Sequence, residues 1–493
     1  MRSYKQMFKP KQLTLNDIYA DCLDSFDNDK PGFLSLLDEN VDLDALIPGS
    51  LKDRFYKWTG RPRKYLLTAL IRALIIQRLF SIPSDSLLLL FLRYSKELRG
   101  FCGFEKVPDA SVITRFKQDF ADELKIMFDY LVDLTEPVCQ KIDSRLASIS
   151  IFDTSGIEAY VRENNPKFTD ALIRKLKAWK TAKGVDDSFD PYKAAYGRMP
   201  PHAEAEPAIK QMYINGHFCY AYKFGLVVNG LGIVRDIPFY DEGFLAVHPE
   251  IEVEKKDDSP DEDKSLADSK ALIPTLEDFQ ARHPLIKPSV FIGDTAFDTI
   301  EIYSKLLGEG GLGFSKAFIP LNPRSGLEYP DCPLNEDGIP CCPNDPSLPM
   351  KPESSDSHLR CGKPTLKFVC PKMKWVTGDD KKSHRRTSCE TPCTDSPCGR
   401  MFYVYPEKNL RTFPGTVRGT EEWYETYKIR VAVEKSINHF KDSFCVAGRR
   451  SRNAPTTKAD LYLAGIAQLI TVLLAESIHK RQYLRSLKPL IAS

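Results

Sequence analysis

Residues 146–156 read LASISIFDTSG and mark the point where the chain changes from helix-prone to β-prone sequence. Alternating apolar residues are typical of a strand with one buried face, and we expect this strand to end at Asp153. A second apolar stretch, VFIGD at residues 290–294, also ends at an aspartate. The two stretches predict strands that expose Asp153 and Asp294 at the carboxyl edge of a sheet, where α/β folds bind their ligands.

Further strands and helices surround this pair. Residues 217–239, HFCYAYKFGLVVNGLGIVRDIPF, predict two strands joined at Asn229-Gly230, because Asn-Gly accepts the positive φ angles of a tight turn. Residues 318–324, FIPLNPR, predict another strand, and dense apolar positions at 65–80 and 461–475 predict buried helices. This mixture of strands and helices predicts the α/β class.

Composition and pattern divide the chain into four predicted parts. These are a helical N-terminal domain (1–145), the first part of an α/β core (146–324), a Cys-rich, β-containing insertion (325–406) and the C-terminal helices of the core (407–493). The short helices of the first part predict either a DNA-end-binding domain or a plain scaffold, with Arg115 and Lys117 pointing outward.

Net charge and the distribution of apolar residues indicate which partners and which cellular compartment to expect. A net charge of +2 over 493 residues means that any surface for nucleic acid must be a local basic patch. The N-terminus lacks an apolar segment of signal-peptide length, and both apolar stretches are shorter than the roughly 20 apolar residues of a membrane span. We therefore expect a cytoplasmic protein with no membrane contact.

Residues 427–441, YKIRVAVEKSINHFK, form a predicted helix, called the signature helix below. The intervals between Tyr427, Arg430, Glu434 and Lys441 are three, four and seven residues, which places all four side chains within roughly 60° of one helical face. Arg and Lys suit phosphate oxygens, and Tyr can bond a phosphate or stack on a base. The alternative is a solvated face with an i,i+4 pair between Arg430 and Glu434.

Two strand-end aspartates and a helical glutamate suit phosphodiester chemistry. Carboxylate oxygens are the ligands that Mg²⁺ prefers, and two such ions can activate a water or a 3′-hydroxyl and stabilise the leaving oxygen. Asp153, Asp294 and Glu434 are therefore candidate metal ligands. Taken singly, each aspartate is more simply explained as a turn or helix cap.

The spacing Y-x2-R-x3-E-x6-K resembles the signature of a large group of bacterial insertion-sequence DDE transposases. SIFDTS at 150–155 resembles the strand that carries the first aspartate of that family, and VFIGDTAFD at 290–298 resembles the strand of the second. FCYAYKFGLVVNG at 218–230 resembles the hairpin between them, with Tyr222-Lys223 in the usual place. The resemblance covers roughly residues 50–320 and 420–480.

This resemblance implies an RNase H-like fold whose mixed sheet is flanked by helices. It implies two Mg²⁺ or Mn²⁺ ions held by Asp153, Asp294 and Glu434, which cut transposon ends and then catalyse strand transfer. Tyr427, Arg430 and Lys441 would contact phosphates of double-stranded DNA, at the transposon ends and the target. A nucleoid-associated protein that acts as a homodimer on DNA is also implied.

The Cys-rich insertion lies outside the stretches that resemble the transposase family. The candidate ligands for a structural Zn²⁺ ion are Cys361, Cys370, Cys389, Cys393 and Cys398. Their spacing is not a clean CxxC…CxxC, so free thiols are the alternative. Trp375 and Trp423 are candidates for stacking on a displaced base, with simple packing as the alternative.

Two basic stretches predict phosphate binding. Arg449, Arg450 and Arg452 follow the signature helix and lie beside the predicted active site. The segment Lys363–Arg386 contains nine Lys, Arg or His residues, a composition that supplies salt-sensitive, sequence-independent affinity for nucleic acid.

Other functions fit parts of the same sequence. An RNase H-like nuclease without strand transfer would use the same three carboxylates. A catalytically inactive DNA-binding protein derived from a transposase would have been free to lose any of them. The Cys-rich insertion could also be the functional module, through contacts with protein or DNA.

Overall fold

The structure is a computed structural model in which helices flank a curled sheet of mixed strand direction, as the predicted α/β class requires. It describes residues 16, 32–57, 62–186, 188–197, 199–214, 217–256, 259–325, 332–353, 358–360, 363–379, 381–405, 410–449, 451 and 453–491. The helices, in chain order, are α1 (Gly32–Asn40), α2 (Gly49–Phe55), α3 (Leu67–Leu79), α4 (Asp85–Tyr94), α5 (Lys96–Cys102), α6 (Ala110–Asp119), α7 (Ala121–Ile142), α8 (Ser144–Ala147), α9 (Pro166–Lys183), α10 (Pro191–Gly197), α11 (Glu242–Val247), α12 (Asp268–Arg282), α13 (Ile300–Leu307), α14 (Glu421–Tyr427), α15 (Val431–Asn438), α16 (Ala454–Ser477) and α17 (Lys488–Ile491).

The strands belong to one large sheet and several small ones. In chain order they are β1 (Ile149–Glu158), β2 (His202–Ala203), β3 (Glu206–Ile214), β4 (His217–Asn229), β5 (Val234–Asp236), β6 (Lys255–Lys256), β7 (Ser259–Asp263), β8 (Val290–Ile292), β9 (Lys316–Phe318), β10 (Cys341–Cys342), β11 (Asp345–Pro349), β12 (Lys351–Pro352), β13 (His358–Arg360), β14 (Lys363–Val369), β15 (Met373–Thr377), β16 (Ser383–Thr387) and β17 (Met401–Val404).

The central sheet has the strand order β2-β3-β4-β1-β8-β9, with β5 added beside β4. β1 runs antiparallel to β4 and parallel to β8, and β8 is parallel to β9. The turn predicted at Asn229-Gly230 joins β4 to β5, although the residue with positive φ is Gly232, at 76°.

Strand β1 continues beyond Asp153 to Glu158, so the prediction that it ends at the aspartate is wrong. The parallel neighbour β8 pairs only with Ile149–Ile151, whereas the antiparallel neighbour β4 pairs from Ser150 to Glu158. Backbone hydrogen bonds to β4 therefore keep the chain extended after β8 has ended. Asp153 lies inside β1 but just beyond the carboxyl end of its parallel neighbour.

Helix α16 is deeply buried in the layer that covers this sheet, and it packs against α3, α6 and α7. A Cβ added at Gly465 would lie 2.6 Å from a ring carbon of Phe128 and 2.7 Å from Ile237, so glycine is required for this close approach. Among the described residues, α16 is the one helix long and apolar enough to cross a membrane, and 89% of its apolar segment is buried inside the protein.

The Cys-rich region folds around small sheets of its own. β12, β13, β14 and β17 form a four-stranded sheet, and β10–β11 and β15–β16 form two-stranded ones. A small apolar core lies beneath them, formed by Cys332, Ile339, Met350, Leu366, Phe368, Val404 and Val417.

A buried group of five charged residues, called the ion cluster below, connects α3, α4 and α6 to α16. Lys117 Nζ lies 2.8 Å from Asp85 Oδ1 and 2.9 Å from Asp460 Oδ1. Arg449 Nη1 lies 3.0 Å from Asp85 Oδ1, and Arg78 pairs with Asp460. The Lys117 side chain is 0% exposed, so the prediction that it points outward is wrong. Its ammonium is buried because two carboxylates replace the water that it would otherwise need.

Removal of the Asp460 charge should destabilise the fold strongly. We expect Asp460→Asn to lower the free energy of unfolding by about 3–5 kcal/mol, because it leaves buried cations without their counter-charge. Asp53→Asn, on the exposed side of α2, is the matched control and should change it by less than about 0.5 kcal/mol. Urea unfolding followed by circular dichroism measures both, and equal stability of the two variants would contradict a stabilising role for the cluster.

The same cluster should make stability depend on pH in the acid range. Burial acts to raise the pKa values of Asp85 and Asp460, but attraction to Lys117, Arg449 and, at Asp460, Arg78 lowers both below their usual value. A carboxyl with a lowered folded-state pKa contributes stability above its unfolded pKa of about 4, and that stability is lost as pH falls below it. The stability difference between wild type and Asp460→Asn should therefore shrink between pH 5 and pH 3, and a constant difference would contradict this account.

Candidate active site

Asp153 and Asp294 lie side by side because their strands are paired in register. Ile151 of β1 pairs with Ile292 of β8, and each aspartate follows its isoleucine by two residues. A Cβ added at Gly293 would meet ring carbons of Phe291 and Phe297 at 2.7 and 2.8 Å, so the turn between β8 and Asp294 has no room for a side chain.

Each aspartate uses one oxygen locally and leaves the other facing the same guanidinium. Asp153 Oδ1 accepts a hydrogen bond from the Thr154 backbone N–H at 2.8 Å, and Asp294 Oδ1 accepts one from the Ala296 N–H at 2.6 Å. Both Oδ2 atoms lie 3.5 Å from Arg430 Nη2. Asp294 therefore does cap a short 3₁₀ turn, as the simpler interpretation predicted, while its second oxygen stays in the cluster.

The signature helix supplies the third carboxylate. Helix α14 continues through a 3₁₀ turn at Lys428–Arg430 into α15, which carries Glu434 in its first turn. Glu434 forms an i,i+4 ion pair with Arg430 Nη1 and is 46% exposed. The carboxylates of Asp153, Asp294 and Glu434 thus surround one guanidinium, and this group is called the carboxylate cluster below.

The charges in this cluster do not balance, because three carboxylates share one cation. Burial raises the pKa of Asp153 to about 6, even though Arg430 acts to lower it, and Asp294 adds to the increase. Burial also acts to lower the pKa of Arg430, but Tyr427 and the carboxylates more than compensate, so that the pKa rises. A further cation would relieve this excess of negative charge.

Tyr427 lies at the edge of the carboxylate cluster. Burial raises the pKa of its phenol, and the three carboxylates raise it further against the opposing effect of Arg430. Its ring stacks on Trp423 with a centroid distance of 5.0 Å and an interplanar angle of 17°. Trp423 itself is only 3% exposed, which fits the packing alternative, whereas Trp375 is 60% exposed.

The cluster does not include all the predicted side chains. Lys441 lies on a π-helical turn, His439–Ser443, and lines a separate cavity of about 300 Å³ with Glu158 and Cys219. Burial lowers its pKa. The changes of helical winding before and after α15 explain why four residues predicted to share one helical face do not all converge.

Arg449 belongs to the ion cluster and lies at the cavity that Lys441 lines. Its side chain is 9% exposed and pairs with Asp85 and Asp460 in the ion cluster. Arg449 also lines the cavity that contains Lys441, and its role in DNA binding stays a prediction. Arg450 and Arg452 lie outside the described residues.

A network beside Asp153 was not predicted from the sequence. Asp268 Oδ1 accepts hydrogen bonds from Thr154 Oγ1 and from Lys223 Nζ, each at 2.5 Å. Asp268 also adds to the raised pKa of Asp153. The sequence singled out Lys223 through the Tyr222-Lys223 pair. Asp268, which binds Lys223, is 45 residues further along the chain, and only the fold brings the two side chains together.

An open groove of about 660 Å³ lies along the part of β1 that follows Asp153. It is lined by residues of β1, β3 and β4 and by the start of α12, among them Thr154, Gln211, Tyr213, Lys223 and Asp268. Its walls are polar, but they do not include the three carboxylates or Arg430, and Thr154 points to the opposite face of β1 from Asp153.

The donor set of the carboxylate cluster fits a hard divalent cation, because all three ligands are carboxylate oxygens. In the arrangement described, the guanidinium of Arg430 takes the central position. Among the described residues, no group of three or more His, Cys, Asp or Glu side chains is close enough to hold a metal ion. Cation binding would therefore require the guanidinium to move aside.

The predicted zinc ligands are only partly brought together. Cys370, Cys389 and Cys393 line one cavity of about 170 Å³, which Cys342 also lines. Burial raises the pKa of the Cys393 thiol, and a hydrogen bond with Cys342 raises it further. Cys398 does not line this cavity. Cys361 lies outside the described residues.

Comparison with known proteins bears on the N-terminal helices. Residues 21–119 match the model of a family described as Transposase domain (DUF772). A search of curated proteins gave no match. The matched segment includes α3, α4 and α6, which carry Arg78, Asp85 and Lys117 of the ion cluster, and it ends before the carboxylate cluster begins. The chain thus carries a segment similar to a transposase domain, which supports a transposase family and hence an enzyme that acts on DNA.

Proposed function

We propose that the protein is a DDE transposase that cuts DNA at transposon ends and joins the freed ends to a target. The observation that carries the proposal is the convergence of Asp153, Asp294 and Glu434 on one point, from two adjacent parallel strands and the signature helix. The transposase-domain match in the N-terminal helices supports it independently, because that match does not include any of the three carboxylates.

The sheet supports an RNase H-like core. Its parallel strands β1, β8 and β9 end near the same edge, and the antiparallel pair β3–β4 continues on the far side of β1. Asp153 and Asp294 lie at that edge, where ligands bind in α/β folds. On this assignment, residues 146–324 and 407–493 form the core, and residues 1–145 and 325–406 are additions to it.

Asp153, Asp294 and Glu434 would hold Mg²⁺ or Mn²⁺. Such ions, when bound, supply a metal-activated water or 3′-hydroxyl and stabilise the leaving oxygen. The raised pKa of Asp153 supports this role, because a buried carboxyl without enough positive charge around it favours its neutral form.

Arg430 has two tasks in this proposal. Without a metal ion its guanidinium neutralises part of the charge of the carboxylate cluster. Its Nε is buried and has no hydrogen-bond partner among the described residues, so the donor is not fully used in this position. A guanidinium that turns toward a DNA phosphate would gain a bidentate acceptor and vacate the space between the carboxylates.

Side chains on the opposite face of β1 would hold Asp153 in place. Lys223 and Asp268 fix the hydroxyl of Thr154, the next residue along β1, and so hold the backbone that carries Asp153. Lys441, in its separate cavity, would contact a phosphate further along the strand. Two transposon ends must be held together for joining, which favours a homodimer on double-stranded DNA.

Replacement of Glu434 tests the proposal most directly. On plasmid DNA that carries the flanking element ends, with Mg²⁺ present, we expect wild type to cut at the ends. Glu434→Gln should retain DNA binding but cut at least about 100-fold more slowly, since it loses a carboxylate that would hold the metal ion.

Glu425→Gln is the matched control for this assay. Glu425 lies on α14, is 62% exposed and pairs only with its helical neighbour Lys428 among the described residues. It should cut at the wild-type rate. Equal cutting by wild type and Glu434→Gln would contradict the proposal, and binding without cutting by all three proteins would favour an inactive DNA-binding protein.

The raised pKa of Asp153 gives a second test. A carboxyl with a pKa near 6 must release its proton to bind a cation, so Mn²⁺ affinity should rise with pH up to about 7 and then level off. Titration calorimetry in two buffers of different ionisation enthalpy should show release of about half a proton at pH 6 and almost none at pH 8. Asp153→Asn should abolish this proton release, and an affinity independent of pH would contradict the assignment of Asp153 as a ligand.

A structural Zn²⁺ ion in the Cys-rich insertion is a separate proposal. It rests on the thiols of Cys342, Cys370, Cys389 and Cys393 around one cavity, because thiolates suit zinc. These thiols would have to move closer together to hold the ion. Metal analysis of the purified protein should find about one zinc ion per chain. Cys389→Ser should lower this content, whereas Cys445→Ser, outside the insertion, should not. A zinc-free wild-type protein would contradict the proposal.

A further inference from the structure

Strands β15 and β16 form a ribbon that is exposed on both faces. Among the described residues they pair only with each other. No residue of either strand is buried, and Lys374 to Thr377 are all exposed. A lone two-stranded hairpin is marginally stable in water, so this ribbon receives little stabilisation from burial of its own side chains.

One face of the ribbon places like charges opposite each other. In the antiparallel register Lys374 lies across from Arg386, and Val376 lies across from His384. Like charges directly across a strand pair are destabilising. Neither Lys374 nor Arg386 forms an ion pair within the described part of the chain. The repulsion therefore remains unless an external anion offsets it.

The wider segment has the same sign of charge. Residues 371–386 contain six Lys or Arg residues and two Asp residues, whereas the whole chain has a net charge of only +2. This segment thus has a net charge of +4, whereas the rest of the chain has a net charge of −2. A surface of this kind attracts a polyanion.

The other face of the ribbon holds it to the rest of the insertion. Trp375 lies across from Arg385, whose guanidinium carbon is 4.7 Å from the centre of the indole ring. Arg385 also pairs with Glu353, and Lys367 of β14 lies 2.6 Å from the same carboxylate. The ribbon therefore has a fixed base on the four-stranded sheet and presents Lys374 and Arg386 away from it.

We propose that the β15–β16 ribbon binds the phosphate backbone of double-stranded DNA through Lys374 and Arg386. This inference rests on the proposed function, since it supplies a second contact for the same DNA. Duplex DNA carries one negative charge per about 1.7 Å of its axis, dense enough to neutralise both cations at once. A two-stranded ribbon also fits the major groove, which is about 12 Å wide.

The test compares two double variants in the full-length protein. Lys374→Gln/Arg386→Gln removes the two cations of the ribbon. Lys287→Gln/Lys305→Gln is the matched control, with the same change of charge at exposed positions before β8 and on α13. Binding to duplex DNA is measured by fluorescence anisotropy from 50 to 300 mM salt, with several unrelated sequences.

The ribbon variant should reduce the slope of log affinity against log salt by about 1.8, which is about 0.9 for each lost phosphate contact. The reduction should be equal for every sequence, because phosphate contacts do not read bases. The control variant should keep the wild-type slope. Single Lys374→Gln should give about half of the effect.

Thermal unfolding separates DNA binding from a structural role. Because the two charges repel each other, the ribbon variant should unfold at the wild-type temperature or above it. Loss of affinity together with a lower unfolding temperature would indicate a structural role and overturn the proposal. An unchanged salt slope would overturn it as well.

The test of the ribbon and the test of the proposed function can fail independently of each other. If the ribbon variant keeps the wild-type slope while Glu434→Gln still abolishes cutting, only the ribbon inference fails. If the slope falls but wild type never cuts, the proposed function fails and the ribbon inference stands. Binding of the ribbon to anionic phosphatidylserine vesicles, with DNA binding unchanged, would overturn the proposal in favour of a lipid surface.

Discussion

Parallel pairing between β1 and β8 is the constraint on which the carboxylate cluster depends. The pairing of Ile151 with Ile292 places Asp153 and Asp294 two residues beyond the same point of the sheet. Both isoleucines are fully buried, so the apolar core holds this register. A slip by one residue would turn the strand's side chains to the opposite faces and separate the two carboxylates. Backbone hydrogen bonds and apolar packing thus fix the separation of two groups that repel each other.

The balance of positive and negative charge differs between the ion cluster and the carboxylate cluster. In the ion cluster, two carboxylates, Asp85 and Asp460, pair with three cations, Arg78, Lys117 and Arg449, in the protein interior. The carboxylate cluster has the opposite balance, with three acids around Arg430, and it is partly exposed. The first arrangement is suited to stability and the second to a cation or phosphate that comes from outside.

The ion cluster also connects the two lines of support for a transposase. Arg78, Asp85 and Lys117 belong to the segment that matches a transposase domain, whereas Arg449 and Asp460 follow the signature helix. Because these residues share one buried network, the N-terminal helices and the part of the chain that carries Glu434 are held together through charge pairing as well as through apolar contacts along α16.

The sequence by itself determined the α/β class, and it predicted that Asp153, Asp294 and Glu434 act together, because strand periodicity, helical spacing and residue chemistry are all local in the chain. Only the tertiary structure decided which charged side chains face water. Arg449 and Lys117 have the sequence context of surface cations but are buried, because their partners Asp85 and Asp460 are distant in sequence. Pairing between Lys223 and Asp268 was hidden for the same reason. The length of β1 and the winding of the signature helix depend on neighbouring strands and helices, and no local pattern specifies those contacts.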